Sequence, residues 1–566
     1  MKTPVDMALN ILSPNAMQVA MTFGLSGIAF HSSIRNIEID NRLGTLFVAY
    51  LFTWASLVGI YVNLFDLSLL HSVATASYAG LCFNLALATS IGVYRLFFHR
   101  LRNFPGPWGA KLSRFYAVNL ASKGLQYHLQ LEKLHKQHGD FIRTGPREIS
   151  INRPSAAQAI HGPKSPCHKS TLYSHVSDDA TKNSVHTMRD PEIHRRRRRA
   201  WDRGFSVKAM AMYAPRVKSK VDLFISQLRT RAGQPVDITE WTMFLTFDVM
   251  GVVGLGKDFQ QLQEAKEHSA IKGLHEQMAT LGLLAHVPWF LCLLSSIPGL
   301  TGSYESFMDY CHNHVKEKAA IWEKTDSQDP ADIISWLLKA FKDNDPSAPP
   351  GEQALQEDGR VIIVAGSDTT GATLANVLYY LTVNPSVCKR LQRQLDNLFP
   401  NASDSFTYEQ VRNIPYVDAI INETLRLKPA VPSGQPRVTP PDGLLIDDVW
   451  IPGDVHVIVP QYILQRDNRN FVDGDKFMPE RWLAENKGEM ILHEEAYFPF
   501  QIGQYGCPGK PLAYMTLRFA IVSVALNFDL SLAPGEDGVK FDQGAKDTFT
   551  LTLSPLQVIF NERVKA

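Results

Sequence analysis

Two apolar stretches near the N-terminus limit what this chain can become. Residues 43–65 and 69–94 contain no Lys or Arg, and each is as long as the ~20 apolar residues needed to cross a bilayer. A shorter run, 16–30, lies near the lower limit and reads as either a third span or an interfacial helix. Arg35 and Arg42 precede the first long run. No Lys or Arg lies in the loop around Asp66. Arg95, Arg100, Arg102 and Lys111 follow the second run. Lys and Arg collect on the cytoplasmic side of a membrane. The expected arrangement is therefore three spans, a lumenal N-terminus, and everything after Arg95 in the cytoplasm. The competing arrangement is a single anchor with the other runs buried as core helices. A cleaved signal peptide fits poorly, because two full-length apolar runs follow it.

Pro105-Gly106-Pro107 interrupts the chain next. Proline cannot continue a helix and glycine loosens the backbone, so a hinge is expected there. The boundary expected from this break gives a membrane anchor over 1–103 and one soluble body over 104–566. No long Pro/Ser-rich linker divides the body. The stretch 344–359 (NDPSAPPGEQALQEDG) reads as a surface loop. Helical periodicity marks 386–398 and 408–427, and short strand-like runs fall at 141–152 and 444–459. The fold class expected is mainly α with a minor β-sheet. At 566 residues and 45% hydrophobic, the chain has material for a large core, and a net charge of +1 gives no reason to expect nucleic acid as a partner.

The chemistry concentrates near the C-terminus, in FPFQIGQYGCPGKPLA, residues 498–513. The chain has six cysteines, Cys82, Cys167, Cys292, Cys311, Cys388 and Cys507, widely scattered and with no C-x-x-C pair. That is neither a disulfide framework nor a zinc cluster. Five read as small buried hydrophobes. Cys507 differs, because the apolar run 512–528 behind it reads as a buried helix. This places the thiol at a helix N-terminus, with Pro508 at the favoured first position. The dipole and free N–H groups there bias a thiol toward thiolate. Flanking glycines let a large flat object approach the backbone. A lone thiolate donating to haem iron favours O–O cleavage. A buried structural cysteine is the alternative, and it leaves Gly503, Pro508 and Gly509 without a purpose.

Three other patterns carry independent signals. Ala365-Gly366-Ser367-Asp368-Thr369-Thr370 puts polar groups inside the apolar helical run 361–381, which is costly unless they are used. Asp368 and Thr369 could bind water or oxygen and pass protons, with Gly366 letting the helix widen. The alternative is hydroxyls bonding back to their own helix. Glu423 and Arg426 stand at i and i+3 on one helix face, either as a solvated surface pair or, given their apolar neighbours, partly buried. Asn422-Glu423-Thr424 is a glycosylation sequon, not expected to be used on a buried cytoplasmic helix. Five arginines follow His194 and precede Trp201. Such a run can mark targeting or nucleic acid, which suits a neutral, membrane-anchored protein poorly.

Taken together these segments resemble the cytochrome P450 family. Phe500, Gly503, Cys507 and Gly509 match its F-x-x-G-x-R-x-C-x-G signature. Tyr505 stands where that pattern has an arginine paired with a haem propionate. The 365–370 motif resembles the family's oxygen-activation motif. Glu423 and Arg426, with Arg481 of Pro479-Glu480-Arg481-Trp482, resemble its fold-stabilising triad, and DPEIHRRRRRAWDRGFS resembles its W/H-x-x-x-R helix. The resemblance covers most of the soluble body, and is greatest to fungal microsomal members.

The resemblance implies a P450 fold and haem b (iron protoporphyrin IX) with Cys507 as the axial thiolate ligand of the iron. Asp368 and Thr369 would deliver protons to dioxygen. His194, Arg198 and Arg437, with Tyr505 as an uncharged donor, would hold the propionates. Glu423, Arg426 and Arg481 would be structural, and the remaining arginines solvated, forming a basic surface for an acidic redox partner. The implied activity inserts one oxygen atom from O2 into a hydrophobic small molecule of specialised metabolism, in the endoplasmic reticulum membrane with the catalytic domain cytoplasmic. Electrons would come from a separate NADPH-cytochrome P450 reductase, because no Rossmann-type glycine fingerprint follows a strand. Residues 281–300, apolar and broken by Pro288 and Pro298, would be an access-channel region dipping into membrane lipid rather than a fourth span. The rivals are an isomerase or dehydratase consuming no O2, a non-catalytic haem protein, and a pseudoenzyme disabled at Tyr505.

Overall fold

The computed structural model describes residues 12–39, 42–174, 179–295, 302–324, 329–400 and 406–563. Three helices lead: α1 (Ala16–Ile34), α2 (Leu43–Leu64) and α3 (Leu69–Val93). Helices α1 and α2 both pack on α3. Among the described residues four helices are long and apolar enough to cross a membrane. Two of these are α2 and the α3 region, whose apolar windows are 6% and 0% buried, and the other two are core helices, 78% and 72% buried. Composition alone does not separate these pairs. The outward-facing Phe47, Phe52, Leu70 and Leu81 of the first pair do, because unpaired apolar side chains of this size suit lipid.

Pro105-Gly106-Pro107 is docked rather than hinged. The Pro105 carbonyl accepts from Arg143 N at 2.7 Å, and a Cβ on Gly106 would collide with the Arg143 backbone. The fully buried Arg143 guanidinium donates to Arg95 O at 3.0 Å and Pro146 O at 2.7 Å. One arginine thus ties the end of the N-terminal helical segment to the first sheet.

That sheet has five strands: β1 (Phe141–Gly145), β2 (Glu148–Ile151), β3 (His168–Lys169), β4 (Arg437–Val438) and β5 (His456–Ile458), in the order β1-β2-β5-β4-β3. The β2–β5 pairing is parallel and the others antiparallel. Its register sets Lys169 directly opposite Arg437. Smaller sheets, one built from Pro235–Asp237, Gln557–Glu562 and Phe528–Leu532, complete the minor β content.

Helices form most of the body. Asp190 caps α4 (Pro191–Gly204), accepting from Glu192 N and Ile193 N, with Pro191 in the first turn where its missing N–H costs nothing. Asp237 caps α5 (Ile238–Met250) in the same way. Helix α6 (Ser269–Leu284) precedes the long α7 (Glu352–Val383), and α8 (Pro415–Leu427) and α9 (Lys510–Asn527) follow. Helix α7 packs against α5, α8 and α9 at the centre of the main core. It begins at Glu352, so the second half of the expected 344–359 surface loop is helix, with Gln356, Glu357 and Asp358 buried. Within the apolar region 281–300, a helix over Pro288–Ser295 packs against α2, and Trp289 and Phe290 meet Phe115 edge-on. It is eight residues long, too short to cross a bilayer. Residues 296–301 lie outside the described ones.

Glu423, Arg426 and Arg481 are completely buried. Arg426 grips Glu423 with two hydrogen bonds of 2.9 and 2.8 Å, and Arg481 Nε adds one at 3.0 Å. Trp482 Nε1 and Met478 N also donate to the same carboxylate. The spare guanidinium N–H groups reach carbonyls, among them Gln465 O and Val472 O, both at 2.7 Å. The neighbouring Asn422 accepts from Tyr497 and Tyr514 and is not free for modification. Removing one partner of a buried pair leaves an uncompensated charge, at a cost of about 3–5 kcal/mol. Glu423→Gln is therefore expected to lower stability by that order, read as a lower thermal midpoint and faster proteolysis. A midpoint matching the parent would contradict the structural role.

Candidate active site

One cavity of about 620 Å³ lies between α7 and the 500–509 loop. This is within the ~300–1,000 Å³ typical of small-molecule sites. Cys507, Phe500, Tyr505 and Gly509 line one side, Thr369 lines the α7 side, and His194 and Arg198 of α4 line an end. Three residues expected here are not on the wall: Asp368, Arg437 and Gly503. Each is accounted for by its packing.

Gly503 has φ +68°, and a Cβ would fall 2.5 Å from His161 O. It serves a close backbone approach rather than a ligand. Gly509 is the opposite case. A Cβ there would make only ordinary contacts, 3.7 Å to Cys507 Sγ and 3.9 Å to Phe205. The protein alone does not demand glycine at this position, and the space above it belongs to the cavity. Helix α9 begins at Lys510 with Gly509 as its cap and Pro511 in the first turn, so Pro508 precedes the helix instead of opening it. Cys507 N donates to Phe500 O at 2.8 Å, which closes the loop.

The surface that Cys507 exposes is cavity wall, with protein packed around the cavity. That enclosure raises the thiol's pKa, against the pull of the Gly509 and Lys510 N–H groups and of Arg198. The helix terminus alone therefore does not make the expected thiolate. Desolvation outweighs it, and a coordinated metal reverses the balance. Of the other cysteines, Cys167, Cys311 and Cys388 are buried as expected, Cys82 is half-buried, and the side chain of Cys292 lies outside the described residues.

On α7, Thr369 Oγ1 donates to Ala365 O at 2.7 Å, and Ser367 Oγ to Ile363 O at 2.8 Å. The hydroxyls do bond back to their own helix, but Thr369 does so on the cavity wall. Helix α7 is continuous through this motif. Gly366 does not widen it; a Cβ would collide with the Met250 thioether of α5. Asp368 is buried beside the cavity and meets His275 Nε2 of α6 at 3.3 Å. His275 Nδ1 in turn meets Glu267 at 2.6 Å. Burial disfavours the imidazolium, but the two carboxylates outweigh it and raise the pKa to about 10. Nothing in the motifs pointed to His275 or Glu267, because their link to α7 exists only in the folded chain.

Around Tyr505 two cations and a neutral imidazole collect. His194 stacks edge-on at 4.8 Å, the Arg437 guanidinium lies 4.9 Å from the ring centroid, and Lys169 Nζ lies 5.0 Å from it. Arg437 is buried behind the ring. Arg198 donates to Gly506 O at 2.5 Å and to Asp202 at 2.7 Å. Burial, opposed by Arg437, lifts the Tyr505 phenol to about 12, so it stays neutral. Burial first, then Lys169 and Arg198, hold the His194 imidazole far below its usual value. Tyr505 OH and His194 Nδ1 are both buried without a hydrogen-bond partner. Of the five arginines, Arg195, Arg196 and Arg199 are exposed as expected. Arg197 is not. It is buried and pairs with Asp358 of α7 at 2.9 Å.

A thiol, an open wall, an α7 hydroxyl, and unsatisfied donors among cations at one edge fit a flat apolar group with anionic substituents. Haem meets that description. Comparison with known proteins agrees. The Cytochrome P450 family model matches residues 105–560. Cytochrome P450 monooxygenase orf5 of Eupenicillium brefeldianum is 38% identical over 86% of this chain and 97% of its own. Cytochrome P450 monooxygenase FCK2 of Fusarium pseudograminearum is 36% identical over 96% of this chain and 97% of its own. Tryprostatin B 6-hydroxylase of Aspergillus fumigatus is 31% identical over 85% and 84%. The crystal structure of a cytochrome P450DA haem domain superposes with TM-score 0.65 at 19% identity, over 78% of this chain and 95% of that one. With the cavity, the cysteine loop and these relatives in agreement, the chain belongs to the cytochrome P450 family and is a monooxygenase.

Proposed function

We propose a membrane-anchored enzyme in which Cys507 is the axial thiolate of haem b. It hydroxylates, or otherwise oxygenates, an apolar small molecule of fungal specialised metabolism. The observation that carries this reading is that Cys507 and Thr369 line the same mainly apolar cavity. Bound haem would supply the activation of dioxygen and the insertion of one of its atoms into the substrate, the other leaving as water. The chain's residues do the rest. Apolar walls exclude water and hold the substrate. Thr369 presents a hydroxyl to the oxygen side. Asp368, His275 and the partly exposed Glu267 form a line of titratable groups that brings protons from solvent to the turn carrying Thr369.

The anchor is assigned to 1–103 and the catalytic domain to 104–566, on the cytoplasmic face of the endoplasmic reticulum, with electrons from a separate NADPH-dependent reductase. The contact of Pro288–Ser295 with α2 supports entry of an apolar substrate from the lipid side. In membranes supplied with such a reductase and NADPH, isotopically heavy dioxygen is expected to place one labelled atom in the product. Conversion that needs neither NADPH nor dioxygen would favour the isomerase instead.

His275→Gln removes a charge from the line without adding bulk. Turnover is expected to fall about a hundredfold, the lower end for general acid–base contributions, with more hydrogen peroxide released per NADPH and a larger solvent isotope effect. The raised pKa has a further consequence. Stability from the His275 ion pairs is full below the ordinary 6.5 and is lost as pH rises toward about 10. The parent's thermal midpoint should drop across that window more than the variant's. Equal pH dependence and unchanged coupling would remove His275 from the account.

A further inference from the structure

Tyr505 stands where the family signature has a cation, so the charge for that edge of the cofactor must come from elsewhere. Of the two cations behind and beside the Tyr505 ring, Arg437 is not on the cavity wall and Lys169 is. Lys169 comes from β3, far from the cysteine loop in sequence, and its backbone register places it directly opposite Arg437 of β4. Like charges directly opposite in an antiparallel pair repel, and here both side chains are buried. Among the described residues no carboxylate pairs with either. Lys169 Nζ donates to Val185 O at 3.0 Å and His186 O at 2.7 Å, and Arg437 turns to Tyr173 OH, Pro436 O and the Gln435 amide oxygen. An ammonium has three N–H donors, so one of Lys169's remains for the cavity. Tyr505 OH, buried and unpartnered, lies beside the same space.

We propose that Lys169 and Tyr505 together replace the missing arginine, the lysine supplying the positive charge and the phenol the second hydrogen bond to one carboxylate of the bound haem. This rests on the haem reading above. The energetics point the same way. A buried cation without a counter-charge is strongly disfavoured, and burial, with Arg437, Arg197 and Arg198 nearby, makes Lys169 hold its proton far less tightly than usual, so a carboxylate in the cavity is what keeps it an ammonium. An anionic carboxylate arriving in the cavity offsets the Lys169–Arg437 repulsion and gives the unpartnered Tyr505 OH and the spare Lys169 N–H a common acceptor. An arginine at 505 in this setting would bring a further cation against Lys169 and Arg437, which is a physical reason for a phenol there.

The test measures haem retention by the full chain, as haem per polypeptide and as the rate of haem loss to an excess of a haem-scavenging globin. Lys169→Gln keeps an N–H donor for the carbonyls but drops the charge. It is expected to lose haem roughly tenfold faster or more, the value of one charge-assisted hydrogen bond, and to shift the haem midpoint potential downward. Lys169→Arg should retain haem like the parent. Adding Tyr505→Arg to Lys169→Gln should restore retention, because the charge returns from the loop. Parent-like haem loss in Lys169→Gln would overturn the proposal. So would a Lys169→Gln defect that Tyr505→Arg does not repair, since that would mark Lys169 as a packing residue of the 185–186 loop. Should the parent itself carry no haem, the haem reading fails before this one is reached.

Discussion

The buried ion pair between Arg197 and Asp358 sets the walls of the site. Each side chain is only 1% exposed. Asp358 also accepts from Val185 N at 2.7 Å, and Arg197 donates to Asn183 O at 2.6 Å. One carboxylate thus fastens α4, the segment before it and the start of α7 to one another. With α4 held in this rotation, His194, Arg198 and Trp201 line the cavity, while Arg195, Arg196 and Arg199 stand in solvent. The helical period then turns a run of five like charges into three distinct roles.

From that frame the chemistry follows in layers. Helix α7 carries Thr369 on the cavity wall and hides Asp368 one position away, where α6 holds it through His275. The 500–509 loop brings Cys507 to the same cavity, with Gly503 making a backbone approach to His161 that a side chain would prevent. The first sheet contributes cations through its register. The Glu423–Arg426–Arg481 cluster holds α8 to the 476–482 segment without touching the cavity, and its two arginines around one carboxylate balance their excess charge against carbonyls. Cations thus gather where an anionic cofactor edge would sit, and the remaining walls are mainly apolar.

Much of this was legible in the sequence because the chemistry restricts residue type at short spacing. Phe500, Cys507 and Gly509 declare the loop, and Glu423, Arg426 and Arg481 declare the triad. What was not legible is long-range or depends on rotation about a helix axis. Residues 352–359 looked like loop because prolines precede them and three are acidic, yet Asp358 is buried by Arg197, a partner the local pattern does not show. Arg197 itself looked solvated for the same reason. Lys169 and His275 act through contacts with residues distant in the chain, so no motif marked them. Gly366 and Gly503 lay inside recognised motifs, but only packing revealed which neighbour each avoids. Arg437, expected at the cofactor edge, lies behind the Tyr505 ring and off the cavity wall, a displacement that only the sheet register shows.

The central claim is that Cys507, enclosed and protonated by preference when alone, becomes the thiolate ligand of an iron. The carbon monoxide difference spectrum of the reduced protein in membranes, recorded beside Cys507→Ala, tests this most directly. A strongly red-shifted Soret band that Cys507→Ala abolishes is the expected result. A band at the position of imidazole ligation, or one that survives in Cys507→Ala, would contradict the account.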